Sequence, residues 1–310
     1  TGGYMTSVNE CIYDGETTFI GRKGSINKPF YYNGKFWTVD TLFYTHSFNK
    51  TTPKFVYCLF QTKNWLRYNE ASGVPSLSKD TIEKIKVFIP QLDEQRKISE
   101  MLSVIDERIA TQNKIIEKLQ SLIRGLSDNI HRDIKGETVC FSGVGEAYSG
   151  LSGKSGDDFG DGEPFITYMN VYQNTYISEK DYEFVQIAPN ERQNCVQYGD
   201  ALFTLSSETP EEVGIGAVYL GNTRLLAHYL GNFISSSSFR RAIYPLAQGS
   251  TRFNLQKNDF MKMKFVLPTL EEQERIAKTL DALHYCMANE KSLLEQYILL
   301  KRYLLSQMFI

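Results

Sequence analysis

Several stretches carry residue types that could do chemistry, and most lack the spacing that the chemistry needs. Gly150-Leu151-Ser152-Gly153-Lys154-Ser155 is close to a nucleotide-binding loop, in which backbone N–H groups and a lysine cradle phosphates. That loop requires a glycine five residues before Gly153, where Tyr148 stands, and no strand of the right kind precedes it. What is left is a Gly/Ser turn whose amides and Lys154, with Ser152 and Ser155 beside it, could meet a single phosphate. Gly143-Val144-Gly145 lacks the remaining glycines of a dinucleotide fingerprint. The four histidines (His46, His131, His228, His284) stand apart in the sequence, with no metal-ligand spacing. No Gly-x-Ser-x-Gly elbow and no Asn-Pro-Pro-aromatic or Asp-Pro-Pro-aromatic motif occurs. An enzyme without one such cluster is disfavoured.

Local charge is more informative than the net charge of −2. Residues 1–87 hold 11 Lys+Arg against 7 Asp+Glu, whereas residues 132–264 hold 12 against 16. The first segment therefore suits phosphate, and the second does so only where its acids face away. Cations beside short polar side chains on turns are candidates to position a duplex through phosphates or to read base edges. They are Arg22, Lys23, Ser25 and Lys28, then Ser152, Lys154, Ser155, Thr204, Ser206, Ser207, Thr251 and Arg252. Asn170 joins them on an expected strand, Pro164–Val171, where Tyr168 reads as core. A solvated surface role is the alternative for each.

The elements that must position these residues occur twice. Phe88-Ile89-Pro90-Gln91-Leu92-Asp93-Glu94-Gln95 and Val266-Leu267-Pro268-Thr269-Leu270-Glu271-Glu272-Gln273 each end a short strand at proline and open a long helix. Pro90 and Pro268 lie 178 positions apart. A repeat that long is two copies of a domain and helix, because solenoid periods are ~20–50 residues. Leu102, Ile105, Ile109, Ile116, Leu119, Ile123 and Leu126 recur at heptad spacing, and Leu280, Leu283, Met287, Leu294, Tyr297 and Leu304 fall on the same stripe of the second copy. Gln112 interrupts the first stripe and Glu290 the second at the same offset, either as a register device or as a solvated break. A helix over 92–130 would be roughly 58 Å long. Stripes so apolar pair most simply with each other. The order of the chain allows parallel or antiparallel packing, and the repeat favours antiparallel.

The globular segments look like diverged copies too. Leu255-Gln256-Lys257-Asn258-Asp259-Phe260 mirrors Leu77-Ser78-Lys79-Asp80-Thr81-Ile82, and Gln197–Thr204 mirrors Ile12–Phe19. In the first segment, Asn33-Gly34 predicts a hairpin turn, Lys54–Tyr68 a helix and Lys84–Ile89 a half-buried strand. Nothing before Thr1 corresponds to residues 140–190, and the sequence opens without methionine, so the first domain is expected to be N-terminally incomplete. With 42% apolar residues the chain can build packed cores. Five scattered cysteines suggest reduced core filler in a cytoplasmic protein, and no apolar run approaches the ~20 residues of a membrane span.

The twofold Pro-x-Leu-acid-Glu-Gln-x-x-Ile with its heptad helix resembles the specificity subunit of type I restriction–modification enzymes. The closing Leu304–Ile310, Ser149–Ser155, Gly249–Leu255 and Ile20–Ile26 are also similar to stretches of that family. The resemblance implies an α+β chain with two similar mixed α/β target-recognition domains (1–87 and 132–264). Two long helices (88–131 and 265–310), packed as an antiparallel coiled coil, separate them. It implies that each domain reads half of a bipartite DNA target, and that the helices set the gap and dock methyltransferase subunits; independently, a ~58 Å rod would span roughly 17 base pairs at ~3.4 Å each, enough to separate two half-sites. A restriction subunit would join for cleavage. The chain itself would catalyse nothing and hold no cofactor. S-adenosylmethionine, ATP and magnesium would belong to the partner subunits. Two departures stand out: the missing N-terminal part of the first domain, and a short segment around Tyr229-Leu230-Gly231-Asn232. The rival reading is a coiled-coil adaptor between proteins, without DNA contact.

Overall fold

A computed structural model describes residues 6–221 and 226–309; the opening Thr1-Gly2-Gly3 and the final Ile310 fall outside them. In chain order the elements begin with β1 (Tyr13–Gly21), β2 (Phe30–Phe36), β3 (Leu42–Tyr44), α1 (Pro53–Gln61), α2 (Lys79–Glu83) and the long α3 (Leu92–Asp133). Then come β4 (Glu137–Cys140), α4 (Phe141–Val144), β5 (Phe159–Phe165), α5 (Tyr168–Gln173), β6 (Tyr176–Ile177), β7 (Glu183–Val185), β8 (Ala201–Phe203), β9 (Ser206–Ser207) and β10 (Gly216–Tyr219). The chain closes with α6 (Leu226–Ile234), α7 (Ser237–Ile243), β11 (Ala247–Gln248), β12 (Phe253–Leu255), α8 (Lys257–Lys262), β13 (Lys264–Leu267) and the long α9 (Leu270–Met308). Two compact units result, one of residues 1–115 with 290–310, the other of 116–289. No helix among the described residues is long and apolar enough to cross a membrane.

In the first unit an antiparallel sheet, ordered β2-β1-β3, is backed by α1. The Thr52 hydroxyl accepts the Phe55 N–H, and Pro53 occupies the first helical turn, where its missing N–H costs nothing. The expected helix over Lys54–Tyr68 breaks after Gln61. The Thr62 hydroxyl takes the Leu59 carbonyl at 2.8 Å, and the Trp65 indole N–H takes that of Phe60 at 2.8 Å. Asn33-Gly34 is not a turn: both residues lie inside β2, opposite Glu16 and Gly15 of β1. Ring pairs along the ladder hold this register, Phe19–Phe30 with centroids 4.7 Å apart and Tyr13–Phe36 at 5.8 Å, and they outweigh the local turn preference. Lys84–Ile89 is not a strand either. Val87, Phe88 and Ile89 are exposed, and no described segment lies beside them to complete a ladder. Their counterparts Lys264–Leu267 do form a strand, β13, because β4 pairs with it.

The second unit builds small sheets ordered β6-β10-β8, β11-β12-β9, β13-β4 and β5-β7. One core gathers Val218, Phe233, Ile234, Phe239 and Phe265 with Ile276 and Leu280 of α9. The strand expected over Pro164–Val171 ends at Phe165. Thr167 and Asn170 then form a capping box that starts α5. Tyr168 lies exposed on that helix, stacked on Tyr172 rather than in a core. Of the cysteines only Cys58 is buried; Cys140 is half-buried and Cys11, Cys195 and Cys286 are exposed, so the core-filler expectation fails for most of them.

The long helices run antiparallel. In the first unit Ile98 and Leu102 pack with Leu304 and Met308, and Lys301 pairs with Asp106 at 2.5 Å. In the second unit the counterparts of those four apolar residues at the 178 offset, Ile276, Leu280, Leu126 and Ile130, share one core. The contact is thus made twice with the helices exchanging roles. Leu102, Ile105, Ile116, Ile123 and Leu280 are buried, and Ile109, Leu119, Leu283, Met287, Leu294 and Tyr297 are half-buried on the same seam. Gln112 is no solvated break. It is 5% exposed and donates to the Glu290 carbonyl at 3.1 Å and to the Glu290 carboxylate.

The repeated motif is a joint. The Gln95 amide is fully buried, donates to the carbonyls of Pro90 (2.9 Å) and Lys50 (2.8 Å), and accepts the Thr52 N–H at 3.0 Å. Gln273 repeats only the first bond, to Pro268 at 2.8 Å, and its oxygen is buried without a partner. In urea unfolding Gln95→Ala should therefore cost about 3 kcal/mol and Gln273→Ala about 1 kcal/mol, at roughly 1 kcal/mol per buried hydrogen bond. Gln112→Leu, which strands the Glu290 carboxylate, should destabilise by about 1–2 kcal/mol. Adding Glu290→Leu should recover most of that loss in the same experiment.

Candidate nucleic-acid interface

A short two-strand joint carries the candidate cations in each unit. In the first, the segment after β1 runs beside Pro75–Leu77. The Leu77 N–H donates to the Arg22 carbonyl at 2.9 Å, the Gly24 N–H donates to Pro75 at 2.8 Å, and Lys23 bridges Ser76. In the second, β9 runs beside β12: the Leu255 N–H donates to the Leu205 carbonyl at 2.8 Å, and Ser206 faces Asn254. Leu77 and Leu255, which are 178 positions apart, anchor the two joints in their cores. A short helix follows each: α2, capped by the Ser78 hydroxyl, and α8.

Arg22 and Lys23 are exposed on the first joint, with exposed Lys28 and half-buried Ser25 on the turn that follows. Arg22 donates to the Asp40 carbonyl at 3.1 Å and lies 3.8 Å from its carboxylate. Both side chains are open to solvent, so this pair is weak and readily exchanged for a phosphate. On the second joint Arg252 and Thr251 are exposed, and the Arg252 guanidinium reaches the Ser206 hydroxyl at 3.4 Å. Gly249 makes that tip possible. Its φ is +149°, and a Cβ there would sit 2.0 Å from the Arg252 carbonyl oxygen. Asn254, exposed beside Arg252, was not singled out by sequence; its position opposite Ser206 on the joint marks it.

Other candidates are spent on the fold. Lys154, far from being a free phosphate ligand, is 8% exposed and held 2.5 Å from the Glu191 carboxylate. Thr204 is buried, donating to the Glu212 carbonyl at 2.6 Å and accepting the Ile215 N–H at 2.9 Å. Ser207 is buried and donates to the Glu212 carboxylate. Asn170 caps α5. Ser155 binds the Asp158 carboxylate through its N–H at 2.7 Å and its hydroxyl at 3.0 Å, which holds that acid below its ordinary range. Ser152 is exposed, and its backbone is tied to the Gln193 side chain by bonds of 3.3 and 2.8 Å. The loop that imitates a nucleotide site is thus stitched to residues 188–194. Its lysine is taken up by a partner 37 residues away, which leaves no mark in local sequence.

The seam residues proposed for partner docking are consumed between the helices. The apolar residues that α3 and α9 turn outward are others: Ile115 and Leu122, with their counterparts Leu293 and Leu300, and also Tyr285 and Tyr303.

Residues 1–121 and 218–297 match the family described as the type I restriction modification DNA specificity domain. The chain belongs to this family. Among its relatives in Methanocaldococcus jannaschii, a chain assigned as the MjaX type I restriction enzyme specificity subunit is 27% identical over 270 residues, 76% of this chain and 62% of the relative. The MjaVIII specificity subunit is 24% identical over 269 residues, 73% and 62% of the two chains. The chain thus spans less than two thirds of either relative. The solved type I S subunit of M. genitalium shares the fold with a TM-score of 0.59 and 14% identity, over 97% of this chain and 85% of that one. A chain solved to explain complex assembly and conformational transition of the type I R-M system gives 0.57 and 15%, over 98% and 84%. Within this family fold the same two-strand joint recurs in both units, and each copy bears exposed cations, Arg22 and Lys23 on one strand in the first and Arg252 on the other strand in the second.

Glu191 supplies a test of the stitched loop. Lys154, then Gln193, lowers its carboxyl from the ordinary 4.5 to about 2. The folded chain favours the carboxylate, so its stabilisation is complete above pH 5 and disappears as the pH falls toward 2. Glu191→Gln should be less stable than the parent at pH 5 and above, with the gap closing toward pH 2 in urea midpoints.

Proposed function

We propose that the chain is the non-catalytic DNA-specificity subunit of a type I restriction–modification complex and reads a bipartite duplex target, one half through each recognition domain. The observation that carries this is the recurrence of one joint, bearing exposed cations and amides, in two units whose helices start from the same glutamine-locked motif. Arg22, Lys23 and Lys28 in the first unit, and Thr251, Arg252 and Asn254 in the second, would supply the phosphate and base-edge contacts. The outward apolar residues of α3 and α9 would dock the partners. Their occurrence at repeat positions, Ile115 with Leu293 and Leu122 with Leu300, suits two copies of one methyltransferase subunit, with a restriction subunit joining the assembly. S-adenosylmethionine, ATP and magnesium then belong to those partners, and the complex works in the cytoplasm.

Gel shifts against a duplex pool, with and without the methyltransferase subunit, test the reading. Binding that weakens with salt is expected. Arg22→Ala and Arg252→Ala should each lower the salt slope by about one, the value for one phosphate contact. Lys154→Ala should leave the slope unchanged. Failure to bind any duplex at low salt with partners present would overturn it. Neutral outcomes for both arginines, with partner capture intact, would favour the adaptor reading.

A further inference from the structure

Asp281 of α9 collects donors from two elements of the second recognition domain. The Tyr176 hydroxyl of β6 donates to its Oδ1 at 2.7 Å, and the Asn232 amide of α6 donates to the same oxygen at 3.1 Å. The His228 Nδ1, also on α6, lies 2.6 Å from Oδ2. The donors are tied to each other as well. Asn232 Nδ2 donates to the Tyr176 oxygen at 2.7 Å and to the His228 carbonyl at 3.1 Å. The Tyr176 ring sits between the rings of His228 and His284, with centroids 5.2 and 6.1 Å away. Gly231 permits this closeness, since a Cβ there would lie 2.3 Å from the Tyr176 ring. Burial and the Asp281 charge push the Tyr176 hydroxyl above its ordinary range, so it remains a donor.

This tie is not inherited from the repeat. The counterpart of Asp281 at the 178 offset is Ser103, and that of Asp106 is His284. In the first unit Gln95 itself reaches into the recognition domain, at Lys50 and Thr52, while Asp106 pairs with Lys301 of the other long helix. In the second unit Gln273 reaches only Pro268, within its own motif. The second domain thus lacks the glutamine clamp and has a carboxylate clamp instead. Charge-assisted bonds converging on one carboxylate are stronger and more directional than a neutral amide bond.

We infer that Asp281 is a positioning residue: it fixes the second recognition domain on α9 and thereby sets which spacing between half-sites the subunit accepts. The inference rests on the proposed reading of two half-sites gripped at once. It concerns geometry, not contact, because Asp281 is drawn toward its own domain by the Tyr176 and Asn232 donors, with the His228 ring beside its second oxygen.

The test uses the subunit assembled with its methyltransferase partners. Methylation is measured on duplexes that carry the mapped target and differ only in a spacer one base pair shorter, unchanged or one base pair longer. Asp281→Asn should raise the rate on the altered spacers, relative to the correct one, by on the order of tenfold, as loss of a charge-assisted tie implies. Tyr176→Phe, which removes one donor and keeps the ring, should shift in the same direction by less. Ser103→Ala, at the counterpart position, should keep the parental spacing profile. An Asp281→Asn subunit that folds and remains as strict as the parent overturns the inference. So does a Tyr176→Phe subunit that remains strict when Asp281→Asn fails to fold. If the parent accepts all three spacers equally, the two-half-site reading itself fails, and this inference falls with it.

Discussion

The structure depends on a buried glutamine amide that folds back five residues to a proline carbonyl. A helix leaving a strand-and-loop domain has free carbonyls behind it and free N–H groups in its first turn. Pro90 and Pro268 cannot donate, and each carbonyl needs a partner once it is covered. Gln95 and Gln273 supply that partner from inside the helix, which locks the direction in which forty residues of helix depart. A few degrees of error at that joint would be magnified over a rod of roughly 60 Å, at about 1.5 Å per residue.

Register is the second constraint. A repeated helix packed antiparallel on its own copy has many contacts that are made twice, but one place where a residue meets its own counterpart. Gln112 and Glu290 occupy that place, and both are polar. A polar pair within an apolar seam resists a slip of one heptad, because a shifted amide would face Leu283 or Tyr297 and a shifted carboxylate Ile105 or Leu119. The seam then holds the helices, which frees the outward residues for other surfaces.

Much of this could be read from the residues. The two helices, their apolar stripes, the coincidence of Gln112 with Glu290 and the doubled motif follow from period and offset, because long helices obey their own local pattern. Shorter elements were less legible for a physical reason: their fate was decided by neighbours. Asn33-Gly34 became strand because aromatic pairs across the ladder set the register, and Lys84–Ile89 stayed irregular because no strand lay beside it. At the candidate interface Arg22, Lys23, Lys28, Thr251 and Arg252 kept the exposure that turn chemistry suggests. Lys154, Thr204 and Ser207 are taken up by Glu191 and Glu212, partners that spacing does not reveal. The glutamine of the motif was visible from the start, but its bond to proline was not.

That bond has an evolutionary side. Donor and acceptor both lie within one six-residue word, so the lock travels with the motif and asks little of the domain in front of it. Sequence in front of the proline can differ without touching this bond, so the helix behind it keeps its direction. The two units illustrate this freedom: both carry the word, but the first reaches into its domain through Gln95 and the second is tied through Asp281. What differs between the two units and what they share are thereby separated at a single peptide carbonyl.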